Sequence, residues 1–160
     1  FQFNELWIVL TVITDASWSA DRSTSGGVLL LGGFVLASWS RTQSQSALSS
    51  CESEFYALTT GVQEALFVKS LLKEMFPKGE ISIEGYIDST SAAQVAQRTG
   101  VGRLKHLDIR HLWIQDLTES GELKIHRVAT DKNVADLMTK HLNSKVFSRH
   151  VESIGVRCSS

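Results

Sequence analysis

The sequence predicts a single α/β domain built on a mixed β-sheet, and three patterns support this fold class. Residues 6–14 are apolar at odd and even positions and rich in β-branched side chains, which is typical of a strand buried on both faces. A long helical pattern runs from Ser49 to Phe76, where Pro77 ends it. Strand and helix patterns then alternate along the rest of the chain, which shows no internal repeat and no linker.

The individual elements follow from local signals. Two strands about a Gly-Gly step, after the first strand, indicate an antiparallel hairpin. Ser49 and Glu52 form a capping box at the start of the long helix. We assign the tryptophans Trp7, Trp39 and Trp113 to the core. The remaining predicted elements are a strand over Ile81–Ile87, a short helix over Ser89–Arg98, a helix over Lys105–Glu119, a strand over Glu122–Ala129 and a last helix over Asn133–Leu142.

The composition excludes several classes of protein. The chain has 160 residues, of which 42% are hydrophobic and 21% charged, which fits one folded domain and argues against disorder, collagen and coiled coil. The formal net charge is −1, so the overall charge does not indicate a nucleic-acid partner. Two cysteines are too few for a disulfide framework, and neither lies in a CxxC pair, which argues against a structural zinc site.

The apolar segments and the chain ends bear on localisation. No stretch approaches the roughly 18–20 uninterrupted apolar residues that a membrane span needs. The chain lacks an initiating methionine, and no basic segment precedes its first apolar run, so we expect neither a signal peptide nor a membrane partner. We expect residues 1–145 to form the domain and residues 146–160 to form a C-terminal tail.

One acid of the long helix lies on the face that the helix buries. On a wheel of about 100° per residue, Glu54 lies within about 40° of a row of apolar and small residues, whereas Glu52 lies roughly 160° away on a largely polar face. A buried carboxylate is costly unless a cation or hydrogen bonds compensate it. The residues that share the face of Glu54 are Leu58, Gly61, Ala65, Val68, Leu72 and Phe76, and the small ones predict close packing against the sheet.

Three aspartates extend this pattern. Asp15 and Asp88 each follow an apolar strand, at the edge where open α/β sheets bind ligands, although either could instead begin a turn or cap a helix. Asp136 lies in the first turn of the last predicted helix, where the helix dipole alone favours an acid. No cluster of Lys or Arg is interleaved among the four acids, so hard divalent cations suit them, Mg²⁺ above all. Two such ions about 3.5–4 Å apart would serve an in-line displacement at phosphorus.

A series of short motifs occurs in a fixed order between residues 8 and 142. They lie at Thr14–Trp18, Arg22–Gly27, Ser38–Gln43, Ala47–Leu58, Tyr86–Ala92, Lys105–Arg110 and Val134–Lys140. In this order they resemble the ribonuclease H domain of Copia-type LTR retrotransposons. The resemblance implies a ribonuclease H-like fold, with a five-stranded mixed sheet whose second strand is antiparallel and with flanking helices.

The resemblance also implies an activity. It implies cleavage of the RNA strand of an RNA–DNA hybrid during reverse transcription, with two Mg²⁺ or Mn²⁺ ions per site. An upstream reverse transcriptase domain of the same polyprotein is the implied partner, and an intracellular location, in the cytoplasm or within virus-like particles, is implied too. The catalytic and metal-binding acids of the family fall on Asp15, Glu54, Asp88 and Asp136, so the resemblance and the helical wheel select Glu54 independently.

Candidate substrate contacts lie in two kinds of segment. Residues 98–111 form the densest basic segment, which either contacts phosphate or is a solvated helix face. Other candidates flank the acids or lie in the polar, serine-rich segment Ser38–Ser50, which we expect to be a loop, where hydroxyl and amide groups could contact sugar or phosphate. The candidates are Ser17, Trp18, Gln43, Ser89, Lys105, His106 and Arg110.

Two alternative functions remain open on the sequence. An integrase-like strand transferase would use Asp15, Asp88 and Glu122, but this assignment leaves Glu54 unexplained on a buried face. A non-catalytic binding or connection domain would keep the fold without turnover. Divalent-metal binding separates that domain from a nuclease, since a binding module has no need of converging carboxylates.

Overall fold

A five-stranded mixed β-sheet forms the centre of the computed structural model, which describes residues 6–97 and 108–156. Along the chain the strands are β1 (Trp7–Ser17), β2 (Thr24–Leu31), β3 (Phe34–Thr42), β4 (Glu80–Ile87) and β5 (Leu123–Arg127). In the sheet they lie in the order β3-β2-β1-β4-β5. Strand β2 is antiparallel to β1 and β3, whereas β4 is parallel to β1 and β5, which confirms the predicted mixed sheet with its antiparallel second strand.

The helices flank this sheet. Along the chain they are α1 (Ser50–Met75), α2 (Thr90–Gln97), α3 (Asp108–Glu119) and α4 (Ser144–Ser153). Among the described residues, no helix combines the length and the apolarity needed to cross a bilayer.

Helix α1 begins where the sequence predicts and lies close to the sheet. The Ser49 hydroxyl accepts the backbone N–H of Glu52 at 3.2 Å, and the Glu52 carboxylate accepts the N–H of Leu48 at 2.8 Å. A Cβ on Gly61 would lie 2.6 Å from the Thr14 methyl carbon, so the predicted close packing of this helix face on β1 is confirmed.

The tryptophans divide according to the strand face that each occupies. Trp39 is buried, but Trp7 is 70% exposed, so its assignment to the core was wrong. On β1 the even-numbered residues, such as Val12, face α1, because a Cβ at Gly61 would meet the Val12 side chain. Trp7 has the other parity and points to the opposite face, next to the exposed Val9.

In place of the predicted last helix over Asn133–Leu142, the chain forms a short 3₁₀ turn at Val134–Met138, which follows a first 3₁₀ turn at Thr130–Lys132. The side chain of Asn133 accepts the N–H of Ala135 at 3.1 Å and donates to the Thr14 carbonyl at 3.2 Å. The bond to Thr14 holds the second turn against β1. Within the turn, i→i+3 hydrogen bonds such as that from the Asp136 N–H to the Asn133 carbonyl give the 3₁₀ geometry.

The described chain continues to pack on the sheet beyond residue 145. Helix α4 begins at an Asn143 cap, which accepts the N–H of Val146 at 3.0 Å. Ile154, just after α4, packs with Val28 and Val134 in a second small core, on the sheet face opposite α1. Within the segment expected to be a tail, residues 146–153 belong to α4.

Candidate metal centre

Three carboxylates meet at one edge of the sheet. Asp15, Glu54 and Asp88 each offer an oxygen, and these oxygens lie within 4.8 Å of one another. Asp15 lies near the end of β1 and Asp88 directly follows β4, and because these neighbouring strands are parallel their ends meet at the same edge. Glu54 lies in the first turns of α1, which packs on β1. The structure thus brings together three of the four acids that the sequence singled out.

The group is strongly desolvated. Asp15 is 1% exposed and Glu54 is 8% exposed. Burial, and then the negative charges of Asp15 and Asp88, raise the pKa of Glu54 to about 8, although the Ala16 backbone N–H donates to this carboxylate and opposes the shift. Burial also raises the pKa of Asp15, against the opposing effects of Thr139 and Lys140. Because both pKa values are raised despite these contacts, the contacts made by the described residues compensate the negative charge of the group only in part.

The fourth predicted acid, Asp136, lies beside this group in the second 3₁₀ turn. It is buried, and its Oδ1 accepts a hydrogen bond from the Lys140 ammonium at 2.7 Å. The same ammonium lies 3.3 Å from Oδ1 of Asp15. Because one ammonium contacts both carboxylates, the two acids lie near each other, and the charge of Asp136 contributes to raising the pKa of Asp15. Asp136 is therefore linked to the three-carboxylate group through Lys140.

Thr139 and Gly26 complete the surroundings of Asp15. The Thr139 hydroxyl donates to Oδ2 of Asp15. Gly26 pairs with Asp15 in the β1–β2 register, and a Cβ on Gly26 would lie 2.6 Å from the Thr139 methyl carbon. A glycine at this position leaves the room that Thr139 occupies.

Sequence reasoning missed three polar residues of the site. Asn133, Thr139 and Lys140 position or contact the acids, but the sequence analysis named none of the three as site residues and found no cluster of cations among the four acids. Two signals were available: Asn133 precedes a helical pattern, as an N-cap residue does, and Lys140 follows Asp136 by four positions, the spacing of a helical ion pair.

The donor atoms fit a hard divalent cation. All ligand atoms that the three residues offer are carboxylate oxygens, the type that Mg²⁺, Mn²⁺ and Ca²⁺ prefer. The Oε2 atom of Glu54 is buried and has no hydrogen-bond partner among the described residues. A buried, unpaired carboxylate oxygen in an acidic group is what a bound cation would compensate.

Three predicted contact residues lie around this edge. Ser17 is half-buried, two residues after Asp15 on β1. Trp18 is 48% exposed, and its ring N–H donates to the Ala47 carbonyl at 3.1 Å. The Ser89 hydroxyl accepts the N–H of Ala92 at 3.2 Å, so Ser89, and not Asp88, caps α2.

Gln43 and Arg110 line a polar cleft of about 160 Å³ between the end of β3 and α1. The buried Gln43 amide donates to the Ser25 hydroxyl and to the Ser53 carbonyl, both at 2.8 Å, and its Oε1 has no partner among the described residues. The Arg110 guanidinium lies 5.1 Å from the centre of the Tyr56 ring. The other two candidates, Lys105 and His106, lie outside the described residues.

The integrase-like triad of Asp15, Asp88 and Glu122 does not form. Glu122 directly precedes β5, whereas Asp88 directly follows β4, and the two strands are parallel. Glu122 therefore lies at the opposite edge of the sheet, where its carboxylate accepts from the Lys69 ammonium at 2.9 Å. This alternative was wrong.

The architecture is a ribonuclease H fold, as the motifs implied. The N-terminal RNase H domain of rv2228c from Mycobacterium tuberculosis superposes with a TM-score of 0.61 at 16% identity, over 91% of this chain and 98% of that one. LC11-RNase H1, isolated from compost and solved in complex with an RNA/DNA hybrid, superposes with a TM-score of 0.58 at 16% identity, over 82% of this chain and 92% of that one.

The sequence is homologous to the Pol polyproteins of Copia-type and Ty1 retrotransposons, which confirms the resemblance. It is 29% identical over 154 residues to the Pol polyprotein of transposon TNT 1-94 from Nicotiana tabacum, covering 92% of this chain and 11% of that polyprotein. It is 28% identical over 144 residues to the Ty1-JR1 Gag-Pol polyprotein of Saccharomyces cerevisiae, covering 86% of this chain and 8% of that polyprotein. The chain thus spans about a tenth of the length of these curated relatives. No protein-family model matches it.

Proposed function

We propose that this chain is a ribonuclease H, a metal-dependent endonuclease that hydrolyses the RNA strand of RNA–DNA hybrids during reverse transcription. The observation that carries the proposal is the convergence of the Asp15, Glu54 and Asp88 carboxylates at one sheet edge, with a buried, unpaired oxygen on Glu54. The ribonuclease H fold supports it, as does the RNA/DNA hybrid bound to the structural neighbour LC11-RNase H1.

In this proposal the four acids hold two divalent ions, Mg²⁺ or Mn²⁺. Asp15, Glu54 and Asp88 would hold one ion, and Asp15 with Asp136 a second. When bound, the two ions would supply Lewis acidity to the attacking water and to the leaving oxygen, and hydrolysis would then give a 3′-hydroxyl and a 5′-phosphate.

The surrounding residues orient the acids. The Thr139 hydroxyl fixes Oδ2 of Asp15, and the Ala16 N–H fixes the Glu54 carboxylate. Asn133 ties the turn that carries Asp136 to the Thr14 carbonyl of β1. These hydrogen bonds preorganise the acids, so that little reorganisation of the protein accompanies the reaction.

We infer that the hybrid crosses the acidic group and the polar cleft beside it. Arg110 in the cleft would contact backbone phosphate, and Gln43, which lines the same cleft, would contact sugar. Ser17 and Ser89, next to the acids, would recognise the 2′-hydroxyl that distinguishes RNA from DNA. Trp18, Lys105 and His106 would complete the contact surface.

The polyprotein context supplies the partner in this proposal. The homologues are Pol polyproteins, in which a reverse transcriptase segment would present the hybrid to this domain inside the cell, in the cytoplasm or in virus-like particles. The net charge of −1 predicts weak electrostatic attraction of the isolated chain to nucleic acid, so the partner would supply much of the affinity.

A cleavage assay on an end-labelled RNA–DNA hybrid, with and without Mg²⁺, tests the function. The informative pair of variants is Glu54→Gln and Glu52→Gln, because both acids lie at the start of α1 and Glu54 alone belongs to the acidic group. We expect Mg²⁺-dependent cleavage that Glu54→Gln abolishes and Glu52→Gln retains. Cleavage without a divalent cation, or an active Glu54→Gln variant, would refute the proposal. Hybrid binding without cleavage at any Mg²⁺ or Mn²⁺ concentration would favour the non-catalytic binding domain.

A further inference from the structure

Lys140 joins two of the four acids. Its ammonium lies 2.7 Å from Oδ1 of Asp136 and 3.3 Å from Oδ1 of Asp15. The two aspartate side chains are 10% and 1% exposed, whereas the lysine side chain is 38% exposed. The partly exposed lysine side chain therefore extends into the buried acidic region, where its ammonium is shared between two carboxylates.

The compensation by Lys140 is uneven across the site. Its hydrogen bonds go to Asp136 and Asp15, while Oε2 of Glu54 has no partner among the described residues. The Asp136 side of the site thus already holds a positive charge in the metal-free chain, whereas the described residues place no ammonium or guanidinium on Oε2 of Glu54.

An ammonium and a divalent ion compete for the same oxygens. A metal ion on Asp136 would lie within a few ångströms of Lys140 at its present position, where two cations in a desolvated site repel each other strongly. The lysine stem is flexible and partly exposed, so the ammonium can withdraw toward solvent without disturbing the turn that carries Asp136.

We propose that Lys140 is an internal counter-ion, whose ammonium occupies the site between Asp15 and Asp136 in the metal-free chain. A divalent cation has to displace this ammonium before it can bind there. The inference rests on the proposed function, since it concerns the second of the two ions. It assigns an order of loading: the first ion binds on the Glu54 side, and an ion at Asp136 binds more weakly because it has to expel the ammonium. Lys140 is in this sense a positioning residue that sets the affinity of the second site.

Titration of the whole chain with Mn²⁺ alone, followed by calorimetry and by the electron paramagnetic resonance of free Mn²⁺, tests this order. The variants are Lys140→Met, Lys140→Gln as a second neutral form in case Met folds poorly, and Lys140→Arg, which keeps the charge. Lys145→Met is the matched control, because Lys145 is exposed on α4. We expect the neutral variants to bind the second Mn²⁺ about 10-fold more tightly than the wild type, and the Arg and Lys145 variants to behave as the wild type.

Thermal unfolding separates this role from a purely structural one. Without metal, the neutral Lys140 variants should unfold about 3 °C lower than the wild type, and saturating Mn²⁺ should remove the difference. An unchanged Mn²⁺ affinity, or a Tm loss that persists in saturating Mn²⁺, overturns the inference about Lys140. A wild-type chain that binds no Mn²⁺ would instead refute the proposed function, so the two failures are distinguishable.

Discussion

Gly26 lies directly opposite Asp15 in the antiparallel pair of β1 and β2. The space above Gly26 is filled by the end of the second 3₁₀ turn, whose Thr139 donates to Asp15. A Cβ on Gly26 would lie 2.6 Å from the Thr139 methyl carbon, 2.7 Å from Cβ of Met138 and 3.2 Å from the Ala135 carbonyl oxygen. Because Gly26 has no side chain, the turn that carries Asp136 can approach Asp15 this closely.

Replacing Gly26 with alanine should displace this turn. Two of the contacts are closer than Cβ atoms tolerate and involve atoms near the backbone, so the turn rather than a flexible side chain has to move. We expect the free energy of unfolding to fall by about 1–3 kcal/mol, which lowers the Tm. We also expect at least a 10-fold loss of Mg²⁺-dependent cleavage by the folded fraction. Thermal unfolding and hybrid cleavage measure the two effects.

Gly32→Ala is the matched control for the cost of losing a glycine. Gly32 has a φ of 57° and would meet no atom within 4 Å, so alanine there is strained by about 1 kcal/mol but displaces nothing. It should lower the Tm and leave cleavage unchanged. Wild-type cleavage by Gly26→Ala would show that the turn does not need this close approach.

Asp88→Asn should abolish cleavage and stabilise the metal-free chain. Asp88 is half-buried beside two other acids, and removing its charge relieves repulsion on Glu54 and Asp15. We expect the Tm without metal to rise by about 2–4 °C, while Mg²⁺-dependent cleavage falls below detection.

Asp15→Asn should abolish cleavage as well, with a smaller gain in stability. Asp15 repels Glu54, but it also accepts from Thr139 and Lys140, and an asparagine would weaken the bond with the ammonium. Cleavage assays and metal-free melting curves of the two variants test the difference. Full activity of either variant would remove that aspartate from the proposed site.

The positions of Asp15, Glu54 and Asp88 in the fold could be predicted from the sequence, because each depends on a local pattern. The helical period puts Glu54 on the buried face of α1, and the apolar runs before Asp15 and Asp88 put both at strand ends. The parallel pairing of β1 and β4 then brings the two ends together. Each step uses a period or a boundary that the neighbouring residues reveal.

The remainder of the site depends on contacts between distant parts of the chain. Asn133 bonds the carbonyl of Thr14, which lies 119 residues earlier, and this contact turns a predicted helix into a short 3₁₀ turn. The position of Lys140 over Asp15 follows from that turn. Trp7 shows the same limit, because an apolar run does not reveal which face of the sheet another element will cover.

The stability of the metal-free chain should fall as the pH rises from about 4.5 to about 8. The pKa of Glu54 is raised from 4.5 to about 8 in the folded chain, so over this range the folded state retains a proton that the unfolded state has lost. Stability decreases with pH wherever the folded state binds more protons. Urea unfolding at intervals between pH 5 and pH 9 measures this effect.

Glu54→Gln removes this titration and Glu52→Gln does not, which makes the two variants a matched pair for the pH series. The stability advantage of Glu54→Gln over the wild type should grow with pH and level off above about 8. Saturating Mg²⁺ should reverse the advantage, since a bound cation favours the ionised carboxylate. Parallel pH profiles for the wild type and Glu54→Gln would contradict the raised pKa.

Arg110→Ala should weaken hybrid binding and make it less dependent on salt. The guanidinium lies over the Tyr56 ring and donates to the Gln45 side chain at 3.0 Å, so it is held at the polar cleft beside the acidic group. If it neutralises one phosphate, its loss should reduce the slope of log affinity against log salt by about 1, uniformly across sequences. Binding of a labelled hybrid by a catalytically inactive Asp88→Asn background, over a range of KCl concentrations, measures the slope.

Lys78→Ala in the same background is the control for the loss of one positive charge. Lys78 lies just before β4, whereas Asp88 directly follows this strand, so the lysine is a strand length away from the acidic group. Its removal should leave the salt slope unchanged, because a charge that far from the bound backbone is screened and releases no counter-ion. Equal slopes for the Arg110 and Lys78 variants would exclude a phosphate contact at Arg110 and would place the hybrid away from the cleft.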